Sequence, residues 1–201
     1  MPNPTYVIAI SGPSGAGKST AIHNLVNLFG NAVFLSIDDY PDDHYPPALG
    51  WIERGANPDE FDTPGFFTDV RSLKNGNSII HPQSQQKTEP PAYLIIEEPF
   101  GKSRTAFKDL IDFHAEIDTP LEIAFPRRLL RIMNWKPKEE QLPYIKQHLE
   151  WYLNAGRIFY IAVREKARKE KDITVDGMLP PETIAQTIFN AVLAKQNSQN
   201  V

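Results

Sequence analysis

Apolar, β-branched runs recur along the chain and alternate with segments whose apolar positions return at helical spacing. Most residues within a run are apolar, which is typical of parallel strands that helices cover on both faces. The runs that predict strands are 6–10, 32–37, 92–96, 113–118 and 173–175. The segments that predict helices are 18–29, 66–73, 120–132, 142–169 and 180–193. The pattern therefore predicts an α/β fold, with a parallel sheet of about five strands and helices on both faces.

One long segment, residues 41–91, interrupts this alternation and is rich in Pro, Gly, Asp and aromatic residues up to residue 65. Loops this long are usually functional or disordered, and the aromatic content favours an ordered excursion. Beyond the helix at 66–73 we expect a turn at 75–77, a short edge strand at 78–82 and an exposed loop or hairpin tip at 83–91.

Three signals set the expected ends of the later helices. Pro143 is expected in the first turn of its helix, which should break at 154–156. The polar tail after Lys195 is expected to be frayed. These features belong to one predicted domain spanning residues 1–201.

Composition narrows the class of protein. A length of 201 residues suits a single domain that buries its core without covalent staples, and the absence of cysteine leaves only oxygen and nitrogen chemistry. The formal net charge of −4 argues against broad nucleic-acid binding, which needs a basic face. No apolar run approaches the roughly 20 residues that span a bilayer, and the first strand follows Met1 too closely for a signal peptide. We expect a cytoplasmic protein without a membrane partner; a homo-oligomer is left open.

Residues 12–19, GPSGAGKS, match the phosphate-loop pattern G-x-x-x-x-G-K-[ST], the Walker A motif, between a predicted strand and a predicted helix. The alternative is a glycine-rich turn that happens to contain a lysine. The glycines allow positive φ, so loop amides and the helix N-terminus can converge on phosphate oxygens. Lys18 should reach the β- and γ-phosphates, and the Ser19 hydroxyl should bind Mg²⁺. The predicted ATP-binding residues are Gly12, Pro13, Ser14, Gly15, Ala16, Gly17, Lys18, Ser19 and Thr20.

Acidic residues end two of the predicted strands. Asp38 and Asp39 follow the second strand, where ligands of open α/β sheets bind; the alternative is a helix cap or a turn residue. Glu97 and Glu98 follow the third strand, where a phosphate-loop site is expected to have its second acid, which orders Mg²⁺. Glu97 is the predicted metal residue, although which of the two glutamates faces the metal is open.

Three arginines crowd one turn of the predicted helix after residue 120. Arg127 and Arg131 share a face, and Arg128 also neighbours Arg131. Such a run is commonly a solvated helix face, but after a phosphate loop a lid over residues 127–142 is at least as good an interpretation. Its hinge would lie at 134–138.

Five segments, in order, resemble the uridine kinase and phosphoribulokinase branch of the P-loop kinases, and the likeness covers nearly the whole chain. They are GPSGAGKST at 12–20, SIDDY at 36–40, FDTP at 61–64, IIE at 95–97, and IDTP at 117–120 with the arginine helix that follows. The resemblance implies a P-loop NTPase three-layer sandwich that uses ATP and Mg²⁺. It implies that Asp38 is the catalytic base and that Asp62 binds hydroxyls of the acceptor.

The chain also departs from that branch. Glu98 and Pro99 stand where a glycine usually follows the strand-end glutamate, and the lid tip offers lysines instead of further arginines. The residues that grip uracil have no convincing match between His81 and Gln86. Uridine specificity is therefore not inherited from the resemblance.

The resulting hypothesis is a kinase that transfers the γ-phosphoryl group of ATP to a hydroxyl of a small metabolite, such as a nucleoside or a sugar. Asp38, Lys18, Arg128 and Arg131 would be catalytic, and the excursion would wall the acceptor with Tyr45 and Phe61. Two alternatives stay open: a nucleoside monophosphate kinase, and a non-catalytic ATP-binding regulatory module. The choice between ATP and GTP is also open.

Overall fold

The computed structural model describes residues 5–41 and 44–199; Asp42 and Asp43 of the excursion lie outside the described residues. Its strands, in chain order, are β1 (Tyr6–Ser11), β2 (Ala32–Ser36), β3 (Ile79–Ile80), β4 (Lys87–Thr88), β5 (Tyr93–Glu97), β6 (Phe113–Asp118) and β7 (Ile173–Asp176). The main sheet is parallel throughout, in the order β2-β5-β1-β6-β7. The predicted α/β fold with five parallel strands is confirmed.

The helices cover both faces of this sheet. They are α1 (Lys18–Phe29), α2 (Ala48–Glu53), α3 (Pro64–Lys74), α4 (Leu121–Trp135), α5 (Lys138–Trp151), α6 (Arg157–Ala167) and α7 (Pro181–Gln199). As expected from its sequence, α1 ends at Gly30, which has a φ of 72° and donates its N–H to Val26 O. A π-helical turn, Tyr152–Gly156, joins α5 to α6 at the predicted break.

Alternate residues of the strands build two separate cores. In β1, Ile8 and Ile10 pack with α1 and α7 on one face of the sheet. Val7 and Ala9 point the other way and pack with α3. Because each strand is apolar on both faces, the sheet needs a helical layer on each side, and the result is a three-layer sandwich.

The excursion differs from its predicted arrangement in one respect. The segment 78–82 does not extend the main sheet: β3 pairs antiparallel with β4 in a separate two-stranded sheet. The short edge strand expected within 78–82 is present as Ile79–Ile80, at the edge of this small sheet, and the following loop takes the hairpin alternative. Two residues cannot specify their partner by pattern, so the placement depends on packing.

Two helix ends also differ from prediction. Helix α5 begins at Lys138, which places Pro143 inside the helix instead of in its first turn. Helix α7 continues to Gln199, so the residues after Lys195 are helical and not frayed. Within the described ranges, no helix is both long and apolar enough to cross a membrane.

Candidate active site

A cavity of about 530 Å³ opens at the carboxyl ends of β1, β2, β5 and β6. The phosphate loop, the turn after β2, the excursion and helices α4 and α6 all contribute to its wall. Of the predicted site residues, the structure places the following on this wall: Gly12, Pro13, Ser14, Lys18, Asp38, Tyr45, Phe61, Glu97, Arg128 and Arg131.

The phosphate loop has the backbone that an anion cradle requires. Gly12 and Gly15 have φ values of 145° and 90°, and a Cβ atom on Gly15 would lie 2.0 Å from Ala124 O. Gly17, with φ of 93°, is the residue before α1 and has no side chain that could cap the helix. The first amides of α1 are therefore not satisfied by a cap, and they suit phosphate oxygens.

Lys18 links the loop to the neighbouring strand. Its Nζ donates to Gly12 O at 2.8 Å and to Pro13 O at 3.0 Å. The same nitrogen lies 3.1 Å from Glu97 Oε1, and the lysine side chain is 9% exposed. A nearly buried ammonium group held between carbonyl and carboxylate oxygens has a fixed position.

The two glutamates after β5 point to different partners. Glu97 pairs with Lys18, whereas Glu98 is fully buried and forms an ion pair with Arg104. Glu98 Oε1 also accepts the Phe100 N–H at 3.1 Å. The carboxylate that lies beside the phosphate loop is thus that of Glu97.

Asp38 lies in a 3₁₀ turn, Ile37–Asp39, directly after β2. Its backbone N–H donates to Ser36 Oγ at 3.3 Å, which caps the turn. The Asp38 side chain is exposed on the cavity wall, and its carboxylate has no ion-pair partner within residues 5–41 and 44–199. Asp39 turns elsewhere, with Oδ2 3.7 Å from His81 Nε2.

The three arginines of α4 have different surroundings. Arg128 Nη1 donates to the Tyr160 hydroxyl, and the guanidinium carbon lies 6.0 Å from the centre of the Trp151 ring. Arg131 is exposed and reaches the same cavity. Arg127 instead donates to Gly177 O at 3.3 Å and does not line the cavity.

An aromatic cluster forms one side of the cavity, the side on which the sequence predicts the acceptor. The Phe61 ring lies 4.8 Å from Phe100, 5.2 Å from Trp51 and 5.5 Å from Tyr45, centre to centre. It also reaches Phe159 of α6 at 6.2 Å. These contacts connect the excursion to helix α6, so this side of the wall is packed.

Several predicted residues are not on the wall. Gly15, Ala16, Gly17, Ser19 and Thr20 are among these, although they belong to the same loop and the first turn of α1.

Asp62, too, is exposed and outside the cavity lining, where its backbone pairs with His44. Its assignment to the acceptor stays a prediction.

Magnesium would need ligands from outside the protein. Across the described part of the chain, no three histidine, aspartate or glutamate side chains are grouped as a protein-only metal site requires. Mg²⁺ commonly binds through one or two protein oxygens together with phosphate oxygens and water. The Ser19 hydroxyl in the first turn of α1 and the Glu97 carboxylate are oxygen ligands of that kind, and Glu97 lies 3.1 Å from the Nζ of Lys18, the residue before Ser19.

The charged or polar residues of the wall that were not anticipated from the sequence include Arg104, Glu116, Tyr160 and Arg164. Arg104 donates to Phe61 O and Thr63 Oγ1, both at 2.9 Å. Burial raises the pKa of the Tyr160 hydroxyl, although hydrogen bonds from Arg128 and Ser14 act in the opposite direction. Their partners are distant in sequence, so no local pattern could reveal them.

A second cavity of about 600 Å³ lies beside the first, between the start of α4, helix α6 and the loop after β7. Arg164, which pairs with Asp118 at 3.1 Å, borders both cavities. Tyr152 lines the second cavity and stacks on Phe125 at 3.8 Å.

Known proteins resemble this chain over most of its length, although no family model matches it. It is 29% identical to a uridine kinase of Chlamydia pneumoniae, over 85% of this chain and 81% of that protein. It is 27% identical to a uridine kinase of Borrelia duttonii, over 84% of this chain and 85% of that protein.

Solved structures share the fold. A sugar kinase from Janibacter sp. HTCC2649 aligns with a TM-score of 0.51 and 17% identity, over 94% of this chain and 95% of that one. A protein from Silicibacter sp. TM1040 with the provisional name fructose transport system kinase aligns with a TM-score of 0.58 and 20% identity, over 86% and 90%. The chain is therefore similar to uridine kinases in sequence and to kinases in fold, and this similarity supports an enzyme that transfers a phosphoryl group.

Proposed function

We propose that the chain transfers the γ-phosphoryl group of ATP to a hydroxyl of a small, uncharged metabolite, such as a nucleoside or a sugar, and uses Mg²⁺. The observation that carries the proposal is the convergence of Lys18, Glu97 and Asp38 on one cavity. A cation, a metal-ordering carboxylate and an unpaired carboxylate are the groups that phosphoryl transfer to an alcohol needs.

In this mechanism each residue has one task. Asp38 takes the proton from the acceptor hydroxyl as that oxygen bonds to the γ-phosphorus and the bond to the departing ADP oxygen breaks. Lys18 and the loop amides bind the phosphate oxygens, and Arg128 and Arg131 stabilise the charge that develops on them. When bound by Ser19 and Glu97, Mg²⁺ supplies further charge neutralisation.

The distribution of cations favours an uncharged acceptor over a nucleoside monophosphate. Arg54 pairs with Glu60, Arg71 stacks over Phe67 at 5.0 Å, and neither lines the cavity. On the acceptor wall, Arg104 is already paired with Glu98.

Arg164, also on that wall, is paired with Asp118. A phosphate on the acceptor would need a cation of its own. Among the described residues on the acceptor side of the wall, no arginine or lysine lacks an ion-pair partner.

An ADP-release assay with ATP and Mg²⁺ tests the proposal. The acceptors are nucleosides, with uridine first because the similar proteins are named uridine kinases, then free sugars and vitamin precursors. We expect release that depends on one uncharged hydroxyl compound. ATP binding without acceptor-dependent release would favour the regulatory module, and release with a nucleoside monophosphate would favour the other kinase class.

Asp38→Asn is the sharpest variant for that assay. We expect kcat to fall by about 10²–10⁴-fold, the usual contribution of a general base, with ATP affinity nearly unchanged. Asp39→Asn is a matched control, since Asp39 is the next residue and pairs with His81 outside the cavity lining. Equal effects of the two substitutions would contradict the assignment of Asp38 as the base.

A further inference from the structure

Tyr160 is the point at which the phosphate loop and the arginine helix meet. Its hydroxyl accepts a hydrogen bond from Arg128 of α4 and interacts with the side chain of Ser14 in the loop. Its ring lies 5.7 Å from that of Trp151, which in turn lies under the Arg128 guanidinium. One side chain therefore contacts both of the elements that would surround the transferred phosphoryl group.

Helix α6, which carries Tyr160, is fixed to the sheet by ion pairs. Arg164 Nη1 lies 3.1 Å from Asp118 Oδ1 at the end of β6. One turn further, in the 3₁₀ turn after α6, Arg168 Nε lies 2.7 Å from Glu116 Oε1 and its Nη2 lies 2.6 Å from Asp118 Oδ2. The position of the Tyr160 hydroxyl is thus set by the sheet and not by the lid.

The residue before Tyr160 faces the acceptor side. Phe159 packs against Trp51 at 5.4 Å and against Phe61 at 6.2 Å. Two successive residues of α6 thereby contact the acceptor wall and the lid arginine. A rigid helix between these two sides keeps their separation constant.

Arginine has a long side chain whose free rotation opposes any single productive geometry. The hydrogen bond that Arg128 donates to a fixed hydroxyl, together with the indole ring beneath its guanidinium, removes most of that freedom before the substrates bind. Burial raises the pKa of the Tyr160 hydroxyl, so it remains uncharged at neutral pH and cannot compete with phosphate for the arginine as a phenolate would. The contact orients the cation without neutralising it.

We propose that Tyr160 is a positioning residue for phosphoryl transfer: its hydroxyl holds Arg128 against the phosphate loop. The proposal rests on the proposed function, because it concerns the arginine that would stabilise the transferring phosphoryl group. It assigns to Tyr160 an action through Arg128, and no direct contact with the reacting atoms.

The test is a double-mutant cycle of Tyr160→Phe and Arg128→Ala. Tyr160→Phe should lower kcat about tenfold, the loss expected for one hydrogen bond to a charged group, while the acceptor KM changes less than about twofold. In the Arg128→Ala background the same substitution should lower kcat less than about twofold, because the partner is already absent. Tyr152→Phe, which removes a hydroxyl from the second cavity, should leave kcat unchanged.

Two results would overturn the proposal. One is a normal kcat for Tyr160→Phe, and the other is an equal fall in kcat in both backgrounds, which would mean that the hydroxyl acts independently of Arg128. Thermal unfolding of each variant is measured in parallel, so that a loss from misfolding is recognised.

Failure of the proposed function gives a different pattern, since the unaltered protein would then release no ADP with any acceptor. The ATP dissociation constant replaces kcat in that case. Tyr160→Phe should raise it in the unaltered protein but not in the Arg128→Ala background, and equal changes in both would overturn the positioning role alone.

Discussion

Lys18 carries a full charge in a nearly buried position, where three oxygen atoms surround its Nζ. Two of them, Gly12 O and Pro13 O, belong to the loop itself, and the third is Glu97 Oε1. Replacing the lysine leaves that carboxylate facing the phosphates without a counter-charge. In the proposed function the residue would therefore stabilise the transition state as well as balance the charge of the loop.

We expect Lys18→Met to lower kcat/KM for ATP by about 10²–10³-fold, the range for loss of one preorganised charge-stabilising group. Steady-state kinetics with the acceptor found in the screen provide the measurement. Lys87→Met, which removes a surface lysine that pairs with Glu89, is the control for loss of one positive charge and should have no effect. Near-normal turnover of Lys18→Met would mean that the loop does not bind the transferred phosphate.

The residues that the sequence could reveal are those tied to a local motif. Lys18 stands at a fixed place in its loop, and Asp38 and Glu97 directly follow buried strands. Tyr160 and Arg104 follow no such pattern, since Tyr160 meets Arg128 from 32 positions away and Arg104 reaches Phe61 from 43 positions away. Such contacts depend on how the excursion and the lid pack, which short-range periodicity does not encode.

Among the elements, the strands and α1 were predictable because buried parallel strands are apolar on both faces and a glycine ends the helix. The ends of α5 and α7 were not predictable from the sequence. Pro143 is tolerated inside α5, and α7 remains helical through polar residues that continue its last turns. Helix ends respond to tertiary contacts as much as to local propensity.

The attachment of helix α6 to the sheet can be tested by substitution. Arg168, in the turn after α6, forms an ion pair with the buried Glu116 carboxylate. Arg168→Met should lower the free energy of unfolding by about 3 kcal/mol, since it leaves most of the charge on Glu116 uncompensated. Lys171 is the nearest remaining cation, at 3.8 Å.

Urea unfolding of the variant and of Lys108→Met provides the measurement. Lys108 forms an exposed pair with Glu170 at 3.6 Å, and its loss should cost less than about 1 kcal/mol. If both variants were as stable as the unaltered protein, the Arg168 contacts would not hold α6 to the sheet. A loss of the same size in Lys108→Met would point to general charge effects.

The stability of the whole molecule should depend on the protonation of one buried histidine. His114 lies in β6, next to the central strand β1, and is fully buried, with Nε2 2.8 Å from Ser11 Oγ just before the phosphate loop. Burial and the nearby Lys102 ammonium lower its pKa from 6.5 to about 4, although Asp172 opposes the shift. The folded protein therefore holds this ring neutral over a range in which the unfolded chain protonates it.

The sign of the pH dependence follows from that difference. Between pH 6.5 and pH 4 the unfolded chain binds the additional proton, so stability falls as the pH falls through this window. The full contribution of neutral His114 to the free energy of unfolding is present above pH 6.5. At 1.36 kcal/mol per unit of pKa difference, the loss of this contribution reaches about 3 kcal/mol at the acid end of the window. Burial acts to raise the pKa of Asp172, but hydrogen bonds from Lys195 and Lys102 lower it below 3.8, so this carboxylate keeps its stabilising contribution in this window and loses it only at lower pH.

Urea unfolding of the unaltered protein and of His114→Gln at several pH values between 4.5 and 7 isolates this contribution. Glutamine can keep a hydrogen bond to Ser11 but does not titrate, so the variant should lose stability at pH 7 and show a much smaller slope with pH. Subtracting the two curves removes every other group that titrates in the window. Parallel curves would show that protonation of His114 does not drive acid unfolding, and that another group in the strand layer does.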